Sequence, residues 1–576
     1  MIKTEIVVKL ENWIEKALDK LGYKSEEIKI EHPNEAQFGD YSTNVALGLA
    51  KSFKTNPNEL ASNLKNELDL LVDSDEIIEK TEVAGAGFVN FYLKKEYLIK
   101  KAEEINYETV FRSNLAKVGL GKKMVIDYSA PNIAKPFGIG HLRSTNIGQA
   151  IYNIYKILGW NCIGDNHLGD WGTQFGKLIV AILKWGGAEK DLDSYTIDDL
   201  EKLYVKFHKE AEKDDTLVEE AREWFSKLEN KDPEARKIWE KVVEISLEEF
   251  RRVYELLNVS IDVANGESFY VDKTDDLIKI IEKKGLIVDS QGAKIIEFEN
   301  MPPAILVKSN GATTYFTRDM ATVKYRFDNW KPDLAIYEVG VDQLLHFSQV
   351  FETAKKMGWE PKEGFVHVAH GLLRWKGGKF STRKGDTIHL SDVIDQAMDR
   401  ARELARISKI SKEMTNDEKE EMVKKVAIGA IKFNDLAQDP KKDIIFDWDK
   451  VMNLSGDSGP YLQYTYARCL SVLDKTKIKE TKNIINIPEK INLEEEALIK
   501  ELYKFEEKII EAAERFSPAV IAEYLLGVAR LFNEFYGKHR IIDQKEEVFR
   551  LFLVRTTVSV LAFGLELLGI EKIEKM

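Results

Sequence analysis

The chain has 576 residues, 44% hydrophobic and 31% charged, with a net charge of −13 from 84 Lys and Arg against 97 Asp and Glu. That length suits roughly three or four globular domains, and the acidic balance excludes nonspecific nucleic-acid binding as a default while leaving room for a local basic groove. Cys162 and Cys469 are too few and too far apart for a disulfide framework or a cysteine metal cluster. With no continuous run of about 18 apolar residues and no apolar signal core at the N-terminus, the expectation is a soluble protein of a reducing cytoplasm, without a membrane partner.

Residues 1–112 read as a small α+β domain. Ile6 to Leu21 has the spacing of an amphipathic helix, as do 44–53 and 59–71, and Glu82 to Leu93 ends in an alternating strand. The turn Gly39-Asp40-Tyr41-Ser42 reads as a helix N-terminal turn more than as a binding loop. Nothing in this part looks catalytic.

The segment from Met124 to Trp160 organises the rest. Met124-Val125-Ile126 is a short apolar run bounded by charge, which suits a buried parallel strand. Pro131, Pro136, Gly138 and Gly140 then forbid regular structure. From His141 the apolar residues Ile147, Ile151, Ile154, Tyr155 and Leu158 keep the spacing of a buried helix stripe. A strand, a Gly/Pro turn and a helix aim free N–H groups and a helix dipole at one point, with Lys135, His141 and Arg143 around it. That suits a phosphate, and equally an ordinary tight connection.

A second strand–turn unit follows at Asn161 to Gly176, where four glycines, Asp165, Asn166, His167, Asp170 and Gln174 are too dense for a mere connection and predict a binding loop. Residues 180–258 read as a charged helical insertion. The α/β pattern resumes near Asp262, with strands at 304–307 and 334–340. Tyr315 and Asp319 are four apart and share a face if helical. In open parallel sheets ligands sit beyond the carboxyl ends of strands, and Asp127, Asn132, His167, Tyr315, Asp319, Gln343 and His346 all lie near such ends. The stretch from Trp375 to Asp386 is a basic glycine-rich loop that could close over a polyphosphate. From about 396 onward the pattern is helical, apart from a polar link near 474–492. Ser517-Pro518 reads as a helix start, with Gly537 ending that helix and Gly569 closing the last one.

Ala130-Pro131-Asn132-Ile133-Ala134-Lys135-Pro136, with Gly140-His141-Leu142-Arg143-Ser144-Thr145, resembles the first class I synthetase motif as arginyl-tRNA synthetases carry it. Asn166 to Gly176, Tyr315 to Asp319, Gln343 to Phe347 and Lys379 to Asp386 resemble that family's later blocks in order. Pro460-Tyr461-Leu462-Gln463-Tyr464 with Ala467-Arg468 resembles the start of its anticodon-binding domain, and Phe38 to Ala46 its N-terminal tRNA-binding extension. The resemblance implies a Rossmann-like α/β catalytic domain over 113–395 with the helical insertion, an N-terminal α+β extension over 1–112, a helical connector over 396–455 and an all-helical anticodon-binding bundle over 456–576.

It also implies the chemistry. The arginine carboxylate attacks the α-phosphate of ATP, pyrophosphate leaves, and the terminal ribose of tRNA(Arg) takes the arginyl group, with tRNA needed for the first step and Mg²⁺ carried on ATP rather than in a protein cage. The residues implied for L-arginine are Asp127, Ala130, Pro131, Asn132, His141, Tyr315, Asp319 and Gln343, with Asp319 first and Asp127 second for the guanidinium. Those implied for ATP are Gly138, Gly140, His141, Lys379, Ser381 and Arg383, with His141, Lys135 and Lys379 as the catalytic set. Tyr464 and Arg468 are the expected tRNA contacts, and the expected state is a monomer. Two positions depart from the family pattern. Gly138 stands where the first motif begins with His, and Thr382 stands at the second lysine of the mobile loop, for which Lys135 is the expected substitute.

Overall fold

The computed structural model describes residues 3–25, 27–33, 35–186, 192–375, 388–407, 413–478 and 487–576. At its centre is a parallel sheet of β1 (Lys123–Asp127), β2 (Asn161–Asp165), β3 (Leu334–Gly340) and β4 (Phe365–His370) in the order β4-β3-β1-β2. A bridge from Asp165 to Val263 adds one more extended segment beyond β2. The strand order reverses between β1 and β3, so a crevice opens past their carboxyl ends. Sequence reading missed β4, whose Phe-Val-His-Val-Ala-His pattern carries two histidines in place of an apolar run.

Four helices place the site against this sheet: α1 (Ile139–Ile157), α2 (Ile197–Ala211), α3 (Tyr315–Asn329) and α4 (Asn416–Leu436). α1 crosses from β1 to β2 and is buried on nearly every face, because the sheet lies on one side and α4 with the C-terminal helices on the other. Its polar residues Ser144, Thr145, Asn146 and Gln149 are therefore buried and must find internal partners.

The N-terminal part folds helices Glu5–Lys20, Val45–Phe53 and Pro57–Val72 on an antiparallel sheet of Ile30–Glu31, Tyr41–Thr43, Phe88–Leu93 and Ile78–Ala84. Tyr41–Thr43 is thus a strand rather than a helix turn: Gly39, at φ 87°, lies against the Phe91 carbonyl, where a Cβ would sit 2.7 Å from the oxygen. This part docks on the C-terminal helices through Glu507, whose carboxylate accepts from Tyr41 Oη at 2.5 Å and Thr4 Oγ1 at 2.8 Å and meets His32 Nε2 at 2.8 Å.

Three further readings change. Ala304–Val307 belongs to a separate antiparallel sheet with Ile287–Ser290 and Ala293–Ile296. Within the region read as helical, Ile444–Phe446 pairs in parallel with Leu373–Trp375. The helix predicted from Ser517-Pro518 begins at Ala519 and continues past Gly537 to Lys538. Helix Glu547–Leu567 is long and apolar enough to cross a membrane by length and composition, but 72% of that window is buried, and it packs as the central helix of the C-terminal bundle. Cys162 and Cys469 are free thiols, both pushed well above the usual range by burial, Cys162 to about 12.

Lys432 of α4 is fully buried and donates from Nζ to the Leu257 carbonyl at 2.5 Å. Burial brings its ammonium from the usual 10.5 down to about 7. Between those values the unfolded chain binds a proton that the folded chain releases, so this residue makes stability rise as pH goes from about 7 towards 10.5. Lys432→Met should flatten that rise, by an amount on the order of a few kcal/mol, in urea unfolding followed across this range. Parallel curves for the two proteins would refute it.

Candidate active site

The turn after β1 forms one wall of the crevice. Ser129, Ala130 and Ala134 have φ of 74°, 43° and 66° without being glycine. Each such residue costs on the order of 1–3 kcal/mol and persists only where its surroundings over-determine it. Ser129 N donates to Ser144 Oγ of α1, Ala130 N to Asn166 Oδ1 after β2, and Ala134 N to Ser246 Oγ of helix Pro233–Leu256, each at 2.9 Å. Ser129 Oγ also meets Thr145 Oγ1 and Tyr254 Oη at 2.8 Å. The insertion therefore holds the turn as well as covering it.

The loop after β2 is zipped to this turn. Ile133 N donates to Gly169 O and Gly169 N to Pro131 O, each at 3.3 Å. A Cβ on Gly169 would lie 2.5 Å from Asn132 Oδ1, so a glycine there is what lets the exposed Asn132 side chain lie over the second loop. Asn132, Lys135, Gln174, Tyr204 of α2 and Tyr315 of α3 line a cleft of about 200 Å³. Among the described residues Lys135 forms no ion pair; its ammonium lies 5.4 Å above the Tyr204 ring.

Beyond Lys135 the chain enters α1. Gly138 has an ordinary φ of −85°, and a Cβ there would meet only His141 Nδ1 at 3.8 Å and Ile388 O at 3.9 Å, both ordinary contacts. Gly140 faces open space. Neither glycine is demanded by the backbone, and both leave space at the entry to α1. His141 is held below the usual imidazole range by burial and then by Lys135, and its Nδ1 is buried with no partner. A neutral imidazole with a free ring nitrogen beside a helix N-terminus fits an incoming phosphate or ribose oxygen. Residues 388–390 return antiparallel onto the same turn, with Leu390 N donating to Phe137 O at 2.9 Å and Ile139 N to Ile388 O at 3.3 Å. Lys379, Ser381 and Arg383 lie outside the described residues.

Arg143 does not face this site. It is 1% exposed and donates from Nε to Asp435 Oδ1 of α4 at 2.9 Å and from its Nη groups to the carbonyls of Gly371, Lys442 and Pro440. Its position in α1 aims it through the helix into the junction with α4, away from the turn.

The opposite wall is α3, where Tyr315, Asp319 and Arg326 fall at i, i+4 and i+11 on one stripe. Arg326 is fully buried, with Nη2 donating to Asp127 Oδ2 and Asp165 Oδ2 at 2.7 Å each, and its guanidinium lies 5.1 Å from the Tyr337 ring centre. Asp127 and Asp165 end β1 and β2 and lie in register with Tyr337 in the middle of β3. Asp127, expected to read a substrate guanidinium, thus already has a protein guanidinium on one oxygen. Two carboxylates against one cation leave a negative surplus in the site, and burial raises Asp165 above the usual range despite Arg326.

Asp319 stands nearer the opening. Its Oδ2 lies 2.5 Å from His346 Nε2 and its Oδ1 3.5 Å from His167 Nε2. Burial pushes this carboxyl up, but the His346 hydrogen bond and the two imidazoles outweigh it and hold it below the usual range, so it is ionised at neutral pH. Arg318 next to it is taken by Glu267 at 2.8 Å, so Asp319 has no fixed guanidinium of its own. Tyr315 is 62% exposed at the mouth, under Arg318, and Gln343 is exposed at the end of β3. Sequence reading omitted Arg326 and Tyr254 from the site and gave Asp165 only as part of the second loop; the stripe on α3 could have found Arg326.

Far from the crevice, Tyr464 and Arg468 share a face of helix Gly459–Lys475. The Arg468 guanidinium lies 4.7 Å from the Tyr464 ring centre and 5.5 Å from that of the half-exposed Tyr536, and is held by Asn533. Tyr536 and Asn533 come from another helix and carry no sequence signal for this grouping.

A parallel sheet with its turn-and-helix wall at the switch point, an α-helical insertion and a helical C-terminal bundle is the class I aminoacyl-tRNA synthetase arrangement. Residues 109–448 match the family model for the class I (R) tRNA synthetase catalytic domain, 462–576 the DALR anticodon binding domain, and 8–93 the arginyl tRNA synthetase N-terminal domain. The chain belongs to the arginyl-tRNA synthetase family. It is 43% identical to the arginine–tRNA ligase of Clostridium kluyveri over 95% of this chain and 96% of that one, and 40% identical to that of Halothermothrix orenii over 99% of both. The crystal structure of arginyl-tRNA synthetase from Plasmodium falciparum superposes with a TM-score of 0.83 at 26% identity over 100% of both chains. The Thermus thermophilus enzyme superposes with 0.81 at 25% over 99% of both.

Proposed function

We propose that the chain joins L-arginine to tRNA(Arg) with ATP, passing through arginyl-adenylate. The observation that carries the site assignment is the crevice itself. An exposed Tyr315 on α3 lines one cleft with Asn132 and Lys135 of the strained turn, and an ionised Asp319 lies one helical turn along α3 against His167 of the loop zipped to that turn.

In this reading the guanidinium goes to Asp319, with Asp127 acting mainly through Arg326. Asn132 and the backbone at Ala130 and Pro131 hold the amino-acid end, and Gln343 and Tyr315 close over it. ATP lies along Gly138, Gly140 and His141. The arginine carboxylate attacks the α-phosphate and pyrophosphate leaves towards Lys135, with Lys379, Ser381 and Arg383 as its further partners in this reading. Such a reaction asks for positioning and charge stabilisation more than for a nucleophilic side chain. Mg²⁺ bound to the ATP phosphates would offset their charge. In this reading the ion arrives with its nucleotide rather than in a protein cage. Tyr464, Arg468 and Tyr536 form a stacking and cationic surface suited to unstacked anticodon bases. Action as a monomer in the cytoplasm, with tRNA required for activation, belongs to the same reading.

ATP–pyrophosphate exchange with arginine, lysine or glutamine, each with and without tRNA(Arg), tests the proposal. Exchange with arginine alone among the three, followed by arginylation of tRNA(Arg), is expected. Exchange with another amino acid would mean a shifted specificity, and tRNA binding without exchange a catalytically silent relative. Lys135→Ala should slow single-turnover adenylate formation by roughly 10- to 100-fold, the loss of one electrostatic contact in the transition state. Because Gly138 has room for a side chain, adding Gly138→His should recover part of that loss. An unchanged rate in the single variant would remove Lys135 from the mechanism.

A further inference from the structure

Two imidazoles from two different elements meet Asp319. His346 comes from helix Leu344–Met357, which follows β3, and His167 from the loop after β2. Each lies nearest a different carboxylate oxygen, His346 Nε2 at 2.5 Å from Oδ2 and His167 Nε2 at 3.5 Å from Oδ1. An ionised carboxylate can only accept, so His346 carries its proton on Nε2. Its ring is wedged between Phe347 at 5.2 Å and Phe316 at 6.4 Å between ring centres, so its direction is set by packing.

The terminal torsion of an aspartate is soft, and a carboxylate at the mouth of a cleft turns unless something holds it. A guanidinium is a planar fork, and two parallel hydrogen bonds form only when the carboxylate lies in the plane of the fork. The other charged or titratable groups facing Asp319 do not hold it: Arg318 is turned to Glu267, Glu267 is itself an acid, and Tyr337 lies beneath the Arg326 guanidinium. The His346 hydrogen bond to one oxygen and the His167 ring beside the other orient Asp319 without a fixed cation against it. A fixed Lys or Arg in their place would cancel its negative charge.

We infer that His346, seconded by His167, is a positioning residue for arginine selection: it sets the plane in which Asp319 presents its carboxylate to the substrate guanidinium. The inference rests on the assignment of Asp319 to that guanidinium. Neither imidazole touches the reacting atoms, so the effect belongs in arginine affinity and not in the ATP half of the reaction.

The test is ATP–pyrophosphate exchange in the full chain with tRNA(Arg) present, comparing His346→Leu, His346→Gln and His346→Asn with Asp319→Asn. Gln places an amide N–H near the position of Nε2, whereas the Asn amide reaches only that of Nδ1. His346→Leu and His346→Asn should raise KM for arginine about tenfold or more, the loss expected for one hydrogen bond to a charged group, with kcat and KM for ATP within about threefold. His346→Gln should stay within about threefold of the parent in all three. If Leu does not fold, Asn and Gln alone decide. An unchanged arginine KM in His346→Asn, or a Gln variant as weak as Asn, overturns the inference while Asp319→Asn still weakens arginine. If Asp319→Asn also leaves arginine binding intact, the assignment beneath it falls as well.

Discussion

Asp319→Asn is expected to lower kcat/KM for arginine by about 10²- to 10³-fold in ATP–pyrophosphate exchange while leaving KM for ATP nearly unchanged. Removing one partner of a desolvated charge pair costs roughly 2–5 kcal/mol, and each 1.4 kcal/mol is about tenfold. Asn keeps the shape and one acceptor but loses the charge and the second lone-pair set that a guanidinium fork requires. Arg318 cannot compensate, because Glu267 holds it. The carboxyl lies below the usual Asp range, so its contribution to arginine binding persists at neutral pH and is lost only as pH falls below that range. A loss under about threefold would show that the guanidinium is read elsewhere, with Asp127 the next residue to replace.

Arg143→Leu is expected to destabilise the fold by about 3–5 kcal/mol, because it leaves the Asp435 carboxylate buried without its cation and frees three backbone carbonyls of their donor. Burial already raises Asp435 above the usual range, and losing Arg143 would raise it further. The apparent unfolding midpoint in urea reads this effect, and the double variant Arg143→Leu/Asp435→Leu should lose less than the single one. A phosphate-binding Arg143 would behave the opposite way, with a normal midpoint and impaired exchange, and that outcome would overturn the structural assignment.

The contrast between these two residues shows what local pattern can and cannot reveal. The place of Asp319 one helical turn from Tyr315 was legible, because that spacing is a property of a few adjacent residues. Arg143 was misplaced because its neighbours, Lys135 and His141, face a phosphate-like turn, while α1 rotates Arg143 to the far side to meet a carboxylate 292 residues away. β4 was missed because His367 and His370 break its apolar run. Ile444–Phe446 was missed because three residues between helices are too short to show a period.

Sequence alone determined the parallel-sheet core, the Gly/Pro turn opening α1, the helical insertion and the helical C-terminal bundle, because periodicity and turn chemistry act between neighbours. Only the tertiary structure decided that Arg326 answers Asp127 and Asp165, that Ser144, Asn166 and Ser246 hold the strained turn, and that His346 and His167 share Asp319. Which donor reaches which acceptor depends on strand order and helix rotation over separations of tens to hundreds of residues, and in a low-dielectric crevice those pairings settle which charges remain free for a ligand.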